Sequence, residues 1–213
     1  MPSSPAARVP PVVTAVRMAV RQAEGSPDRA AAQQRYMKSA MPYRGLTATE
    51  LRALLRPVLT AYGPVGRPEW ERAVRLLWDE ARFREERYAA TALAQHRSAQ
   101  AWQGPAAMGL YRHLVVTGAW WDHVDDLATH SVAPILLRHP ASETQRMRTW
   151  AIEDDLWLRR VAILCQLPFG AATDLDLFAL SEDKVKQAYF LNPSFAMYVL
   201  HTITSRLMTR APG

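Results

Sequence analysis

The sequence predicts an all-α protein, on three observations. Apolar residues recur at helical rather than alternating spacing along most of its 213 residues. Stretches of about 12 to 18 residues are separated by short Gly- and Pro-containing breaks, several of them preceded or followed by capping residues. No alternating run bounded by hairpin turns and no glycine-rich phosphate loop is present.

Taken in order, a Pro- and Ser-rich stretch from Met1 to about Pro11 is expected to be a loose head. Apolar spacing from Val12 to Ala23 predicts a first helix, stopped by Gly25-Ser26-Pro27. Ser26 as N-cap and Pro27 at the first helical position then open a second, through Gln33, Tyr36 and Met37 to a break at Met41-Pro42-Tyr43-Arg44-Gly45. Thr47 and Glu50 have capping-box spacing before Leu51, Leu54, Leu55, Val58 and Leu59, a third helix ending near Gly63. Pro68 opens a fourth with Trp70, Val74, Leu77 and Trp78, and a fifth runs from about Phe83 through Tyr88 and Leu93 to Ser98. The Gln103-Gly104-Pro105 break precedes a sixth to about Thr117. A seventh carries Trp120 and Trp121 to roughly Arg138, where Pro140 stops it. Ser142 and Gln145 are expected to cap the next helix, with Met147 and Trp150. After Asp154-Asp155 another carries Leu156, Trp157, Val161, Leu164 and Leu167.

Helices arriving in pairs are what an α-solenoid of HEAT-like repeats produces, with a compact bundle as the alternative. From Ser181 the composition changes: two of the three lysines, Lys184 and Lys186, and the only asparagine, Asn192, lie there. The expected organisation is a head over 1–11, one helical domain over 12–180 and an atypical, truncated or closing end over 181–213.

The charge balance, 26 Lys and Arg against 20 Asp and Glu, favours a polyanionic partner such as nucleic acid. All but three of the positive residues are arginines, whose planar fork suits phosphate; a GC-rich coding sequence would give the same bias. The single cysteine, Cys165, sits in an apolar run and is expected to be packing in a reducing compartment. No apolar stretch approaches the ~18 residues of a membrane span, and the expectation is a cytoplasmic protein. The six histidines show no ligand-like clustering with Cys or Glu, so neither a metal nor another cofactor is expected.

Gly118 to Asp126, Gly-Ala-Trp-Trp-Asp-His-Val-Asp-Asp, is the candidate working surface: two indoles and three carboxylates in nine positions. On a helix Trp121 and Asp125 share one face, an apolar ring beside a carboxylate, suited to something cationic. The competing reading makes one Trp a core residue and Asp125 a surface salt-bridge partner. Trp78, Trp150 and Trp157 are expected in the core, and Asp122 and Asp126 as surface charges, Asp122 with a further option of orienting Arg160.

Three segments stand out in order: Arg35-Tyr36-Met37-Lys38 with Met41-Pro42-Tyr43-Arg44-Gly45, then Trp120-Trp121-Asp122-His123-Val124-Asp125, then Asp155-Leu156-Trp157-Leu158-Arg159-Arg160-Val161-Ala162. Together they resemble the DNA alkylation repair family of AlkD-like alkylpurine DNA glycosylases, over roughly Arg35 to Gly170. Leu77-Trp78-Asp79 and Glu85-Glu86-Arg87-Tyr88-Ala89-Ala90 also look like the family's second repeat. The resemblance implies a HEAT-like solenoid of antiparallel helix pairs that grips duplex DNA on a basic concave surface. It implies hydrolysis of the N-glycosidic bond of purines alkylated at N3 or N7; the expectation is a monomer that needs no cofactor. It places the catalytic aspartate on Asp125 and DNA contacts on Trp121, Arg160 and Tyr36. The family's further helical pairs and their Lys-Ala-Ile-Gly-Trp-like segment have no clear counterpart, since no tryptophan follows Trp157 and Lys186 and Ala188 are at most a vestige. A catalytically weak HEAT-like DNA-binding or scaffold protein is therefore the alternative function.

Overall fold

The computed structural model describes residues 9–174; the expectations for the first eight residues and for the end from Ser181 lie outside the described residues. Every regular element among the described residues is helical, as the apolar spacing predicts. None of these helices is long and apolar enough to cross a membrane. The chain divides between Trp102 and Gln103 into two compact units.

The first unit contains α1 (Pro11–Gln22), α2 (Pro27–Tyr36), α3 (Ala48–Ala61), α4 (Arg67–Asp79), α5 (Arg84–Ala94) and a 3-10 turn, Arg97–Trp102. Pro11, placed by the sequence reading in a loose head, is the first residue of α1. The stripe Val12, Val13, Val16 and Val20 is buried, and α1 packs on α3, α4 and α5. Trp70, Ala73, Val74, Leu77 and Trp78 of α4 meet Ala89, Ala90, Leu93 and Ala94 of α5, all withdrawn from water. Each large side chain so buried contributes about 1.5 to 3 kcal/mol. Ser26 accepts from the Arg29 N–H as N-cap of α2, and Thr47 with Glu50 forms the expected capping box on α3.

Two acidic residues of α5, Glu85 and Glu86, are buried, against the usual rule for carboxylates. Glu85 accepts the backbone N–H groups of Arg44 (2.8 Å), Gly45 (3.0 Å) and Leu46 (3.4 Å). Arg44 in turn donates to the Arg21 and Ala23 carbonyls at the end of α1. Gly45 has a φ of +80°, and a Cβ there would lie 2.1 Å from the Ser26 carbonyl oxygen. The Met41–Gly45 segment therefore ties α5 to the end of α1: Glu85 accepts its backbone N–H groups, and the Arg44 side chain reaches the α1 carbonyls.

The second unit begins with a 3-10 turn, Pro105–Ala107, and continues through α6 (Met108–Gly118), α7 (Trp121–Leu127), a π turn (Ala128–Val132), α8 (Ala133–Arg138), α9 (Pro140–Ala151), α10 (Leu156–Leu164) and a 3-10 turn, Leu167–Ala172. Two expectations are corrected. The seventh helix does not include Trp120, which is extended, and it widens into a π turn before Pro134. Pro134 has no N–H to give to the preceding turn, which accounts for a break in α-spacing there. Ser142 and Gln145 do not cap α9: the helix opens at Pro140, with only His139 between it and the end of α8, because proline suits the first helical position. Ser142 instead bonds the Glu143 carboxylate at 3.0 Å.

Candidate functional site

The second unit assembles its polar centre from α7 and α10. Ala119, the C-cap of α6, is left-handed (φ +42°), and Trp120 is extended (φ −154°), so the chain turns sharply before α7 starts at Trp121. This turn separates the two indoles. Trp120 packs on Trp157 of α10, ring centroids 6.2 Å apart, whereas Trp121 begins α7 with its side chain half-buried. Trp157 is also half-buried, so it is less enclosed than Trp78 and Trp150, which lie in the core as expected.

Asp155 caps α10, its carboxylate accepting the Trp157 and Leu158 N–H groups at 2.9 and 3.0 Å. With that end fixed, Arg160 falls on the side of α10 that packs against α7. Its Nε donates to Asp125 Oδ1 at 2.6 Å and its Nη2 to Asp125 Oδ2 at 2.7 Å, a two-pronged ion pair. The Arg160 side chain is 2% exposed and that of Asp125 29%, so the guanidinium lies beneath and the carboxylate faces out. Arg159 points elsewhere and donates to the Glu153 and Asp154 carbonyls in the turn between α9 and α10.

Burial pushes the Asp125 carboxyl above its ordinary value; the Arg160 hydrogen bonds and charge pull it down, and Asp122, a like charge three residues earlier, adds to the rise. The competition leaves a carboxylate whose position is set by a fork and whose charge is only partly relieved by water. Such a group can stabilise a positive centre brought against its outer side, because its orientation need not be reorganised.

Of the residues singled out from sequence, Asp125 and Arg160 are in direct contact, and Trp121 stands four residues before Asp125 on the same helix. Tyr36 belongs to the first unit, where it is the last residue of α2 and 76% exposed. Packing is thus not what Tyr36 does in that unit. Among the described residues no group of three or more His, Cys, Asp or Glu side chains is placed to hold a metal ion. Cys165 is buried and its thiol is pushed up by desolvation, as a packing residue would be.

The sequence reading passed over one set of groups. Asp126, Thr129 and His130 form a hydrogen-bonded chain on the outside of α7 and the π turn. The four-residue spacing of Asp126 and His130 was the available signal.

The helical fold is shared with a solved structure described as a predicted DNA alkylation repair enzyme from Enterococcus faecalis, at a TM-score of 0.67 and 21% identity, covering 84% of this chain and 90% of that one. An all-helical protein with an arginine-held carboxylate beside a half-buried indole is the class so defined. The sequence model for the DNA alkylation repair enzymes matches residues 19–191, and the chain belongs to that family. No curated protein matches the chain.

Proposed function

We propose that the chain is a DNA glycosylase that hydrolyses the N-glycosidic bond of cationic N3- or N7-alkylated purines in duplex DNA, with Asp125 as its catalytic carboxylate and no cofactor. The observation that carries this reading is the Asp125–Arg160 pair, a partly exposed carboxylate clamped from behind in a DNA alkylation repair family member.

A purine alkylated at N3 or N7 already carries positive charge, so it leaves as a neutral base without a general acid. As the C1′–N9 bond breaks, its electron pair goes to the base and the positive charge passes to the sugar. Asp125, ionised and fixed, stabilises that oxocarbenium-like centre while water adds to C1′ and its proton passes to solvent. Arg160 acts through Asp125: its Nε and Nη2 are committed to the carboxylate, and the phosphate contact implied by the resemblance would require the pair to open. Trp121 offers a ring face to the deoxyribose or to the cationic base. The exposed Tyr36 offers a further DNA contact from the first unit. The protein acts as a cytoplasmic monomer on a HEAT-like helical scaffold in this reading.

The experiment is release of purine from a methylated duplex, with the undamaged duplex as control. Appearance of free alkylpurine and an equal number of abasic sites supports the reading. DNA binding without release replaces it with a binding module.

A further inference from the structure

His130 lies in the π turn, and its imidazole takes no part in the reaction just described. Its Nδ1 is 2.9 Å from Asp126 Oδ1 and 3.1 Å from Thr129 Oγ1, and the Thr129 hydroxyl donates to the Asp125 backbone carbonyl at 2.8 Å. The donor count fixes the arrangement. A carboxylate oxygen can only accept, so the proton sits on Nδ1; the Thr129 hydrogen is used on Asp125, leaving its lone pair for the same N–H. Nε2 is then the nitrogen left for an outside partner, on a side chain 68% exposed. Among the described residues the imidazole has no other polar partner.

The helix that carries Asp125 offers a poor surface to a polyanion. Asp122, Asp125 and Asp126 are all at least partly accessible, while the local guanidinium, Arg160, is enclosed and turned towards Asp125. His123 is buried. Between Trp121 and Val132, His130 is the exposed group that can carry positive charge.

We propose that His130 is a DNA-backbone contact of this site, its Nε2–H donating to a phosphate oxygen close to the damaged nucleotide while Asp126 holds the ring and is itself neutralised. This deepens the glycosylase reading and rests on it. With Nδ1–H directed to Asp126, donation from Nε2 uses the doubly protonated ring, a cation that pairs with phosphate and displaces a counterion from it.

The test is fluorescence anisotropy of the full chain on a duplex containing a tetrahydrofuran abasic analogue, titrated across salt at about pH 6. His130→Ala is expected to weaken binding about five- to tenfold and to reduce the slope of log K against log salt by about one. His130→Lys, which restores a cation without the carboxylate link, is expected to recover both. The side chain is exposed, and an unchanged melting temperature in each variant excludes misfolding as the cause. Wild-type affinity and slope in His130→Ala, with the wild-type chain binding DNA, would overturn this inference alone. No salt-dependent binding by the wild-type chain would overturn both it and the glycosylase reading.

Discussion

Arg160 lies beneath Asp125 and supplies two hydrogen bonds, at 2.6 and 2.7 Å, to a carboxylate 35 residues earlier in the chain. The two partners are unequally buried, and the consequences of removing them are unequal too. Asp125→Ala leaves an enclosed guanidinium without this counterion and is expected to cost about 3 kcal/mol or more of stability. Arg160→Met leaves a carboxylate that water can reach, and should cost less. Denaturant unfolding of the two variants measures the difference; equal losses would contradict the buried-beneath arrangement.

A lysine cannot replace the fork. Arg160→Lys retains charge but delivers it as a point, so Asp125 loses one of its two fixed bonds. Base release is expected to fall about tenfold, with DNA affinity little changed because the residue acts through Asp125. Single-turnover rates beside binding isotherms separate the two effects.

The acid limb of the pH profile should report Asp125. Burial sets its carboxyl above the ordinary value, so activity that needs the anion is lost on acidification at a higher pH than for an exposed carboxylate. Asp122→Asn removes a like charge that contributes to the rise, and is expected to move the limb to lower pH. For folding the sign is opposite to that of the usual salt-bridged aspartate. A folded-state value above the unfolded one means that the folded chain binds the proton more tightly, so ionising this carboxyl costs stability above its folded value, and that cost is relieved as pH falls through it.

In the first unit the buried carboxylate of Glu85 serves three consecutive backbone N–H groups. Glu85→Ala leaves these donors without that acceptor and is expected to destabilise the chain by about 3 kcal/mol. Gly45→Ala combines a positive φ with a Cβ placed against the Ser26 carbonyl and should likewise lower the melting temperature. Calorimetry of either variant checks the claim that Met41–Gly45 is a structural tie.

Much of this was legible from the residues. Ser26, Thr47 with Glu50, and the prolines at 27, 68 and 105 mark helix starts because capping chemistry is local. The pairing of Asp125 with Arg160 was not: spacing alone relates only Asp125 and Trp121, four apart on one helix, and the resemblance assigned Arg160 to the DNA rather than to the carboxylate. The direct succession of α8 and α9 escaped because Pro140 both ends one helix and opens the next, a double use that the capping pattern at Ser142 obscured. The burial of Glu85 and Glu86 was hidden for a related reason: two adjacent glutamates in a first helical turn look like solvated charges until the backbone that they bind is in place.

The most direct measurement is the single-turnover release of 7-methylguanine from a defined duplex by the wild-type chain and by Asp125→Asn. The uncharged amide keeps an oxygen for Arg160 but cannot stabilise a sugar cation as an anion does. The account predicts a fall in rate of about a hundredfold or more, with DNA binding retained. Equal rates from the two proteins would contradict it.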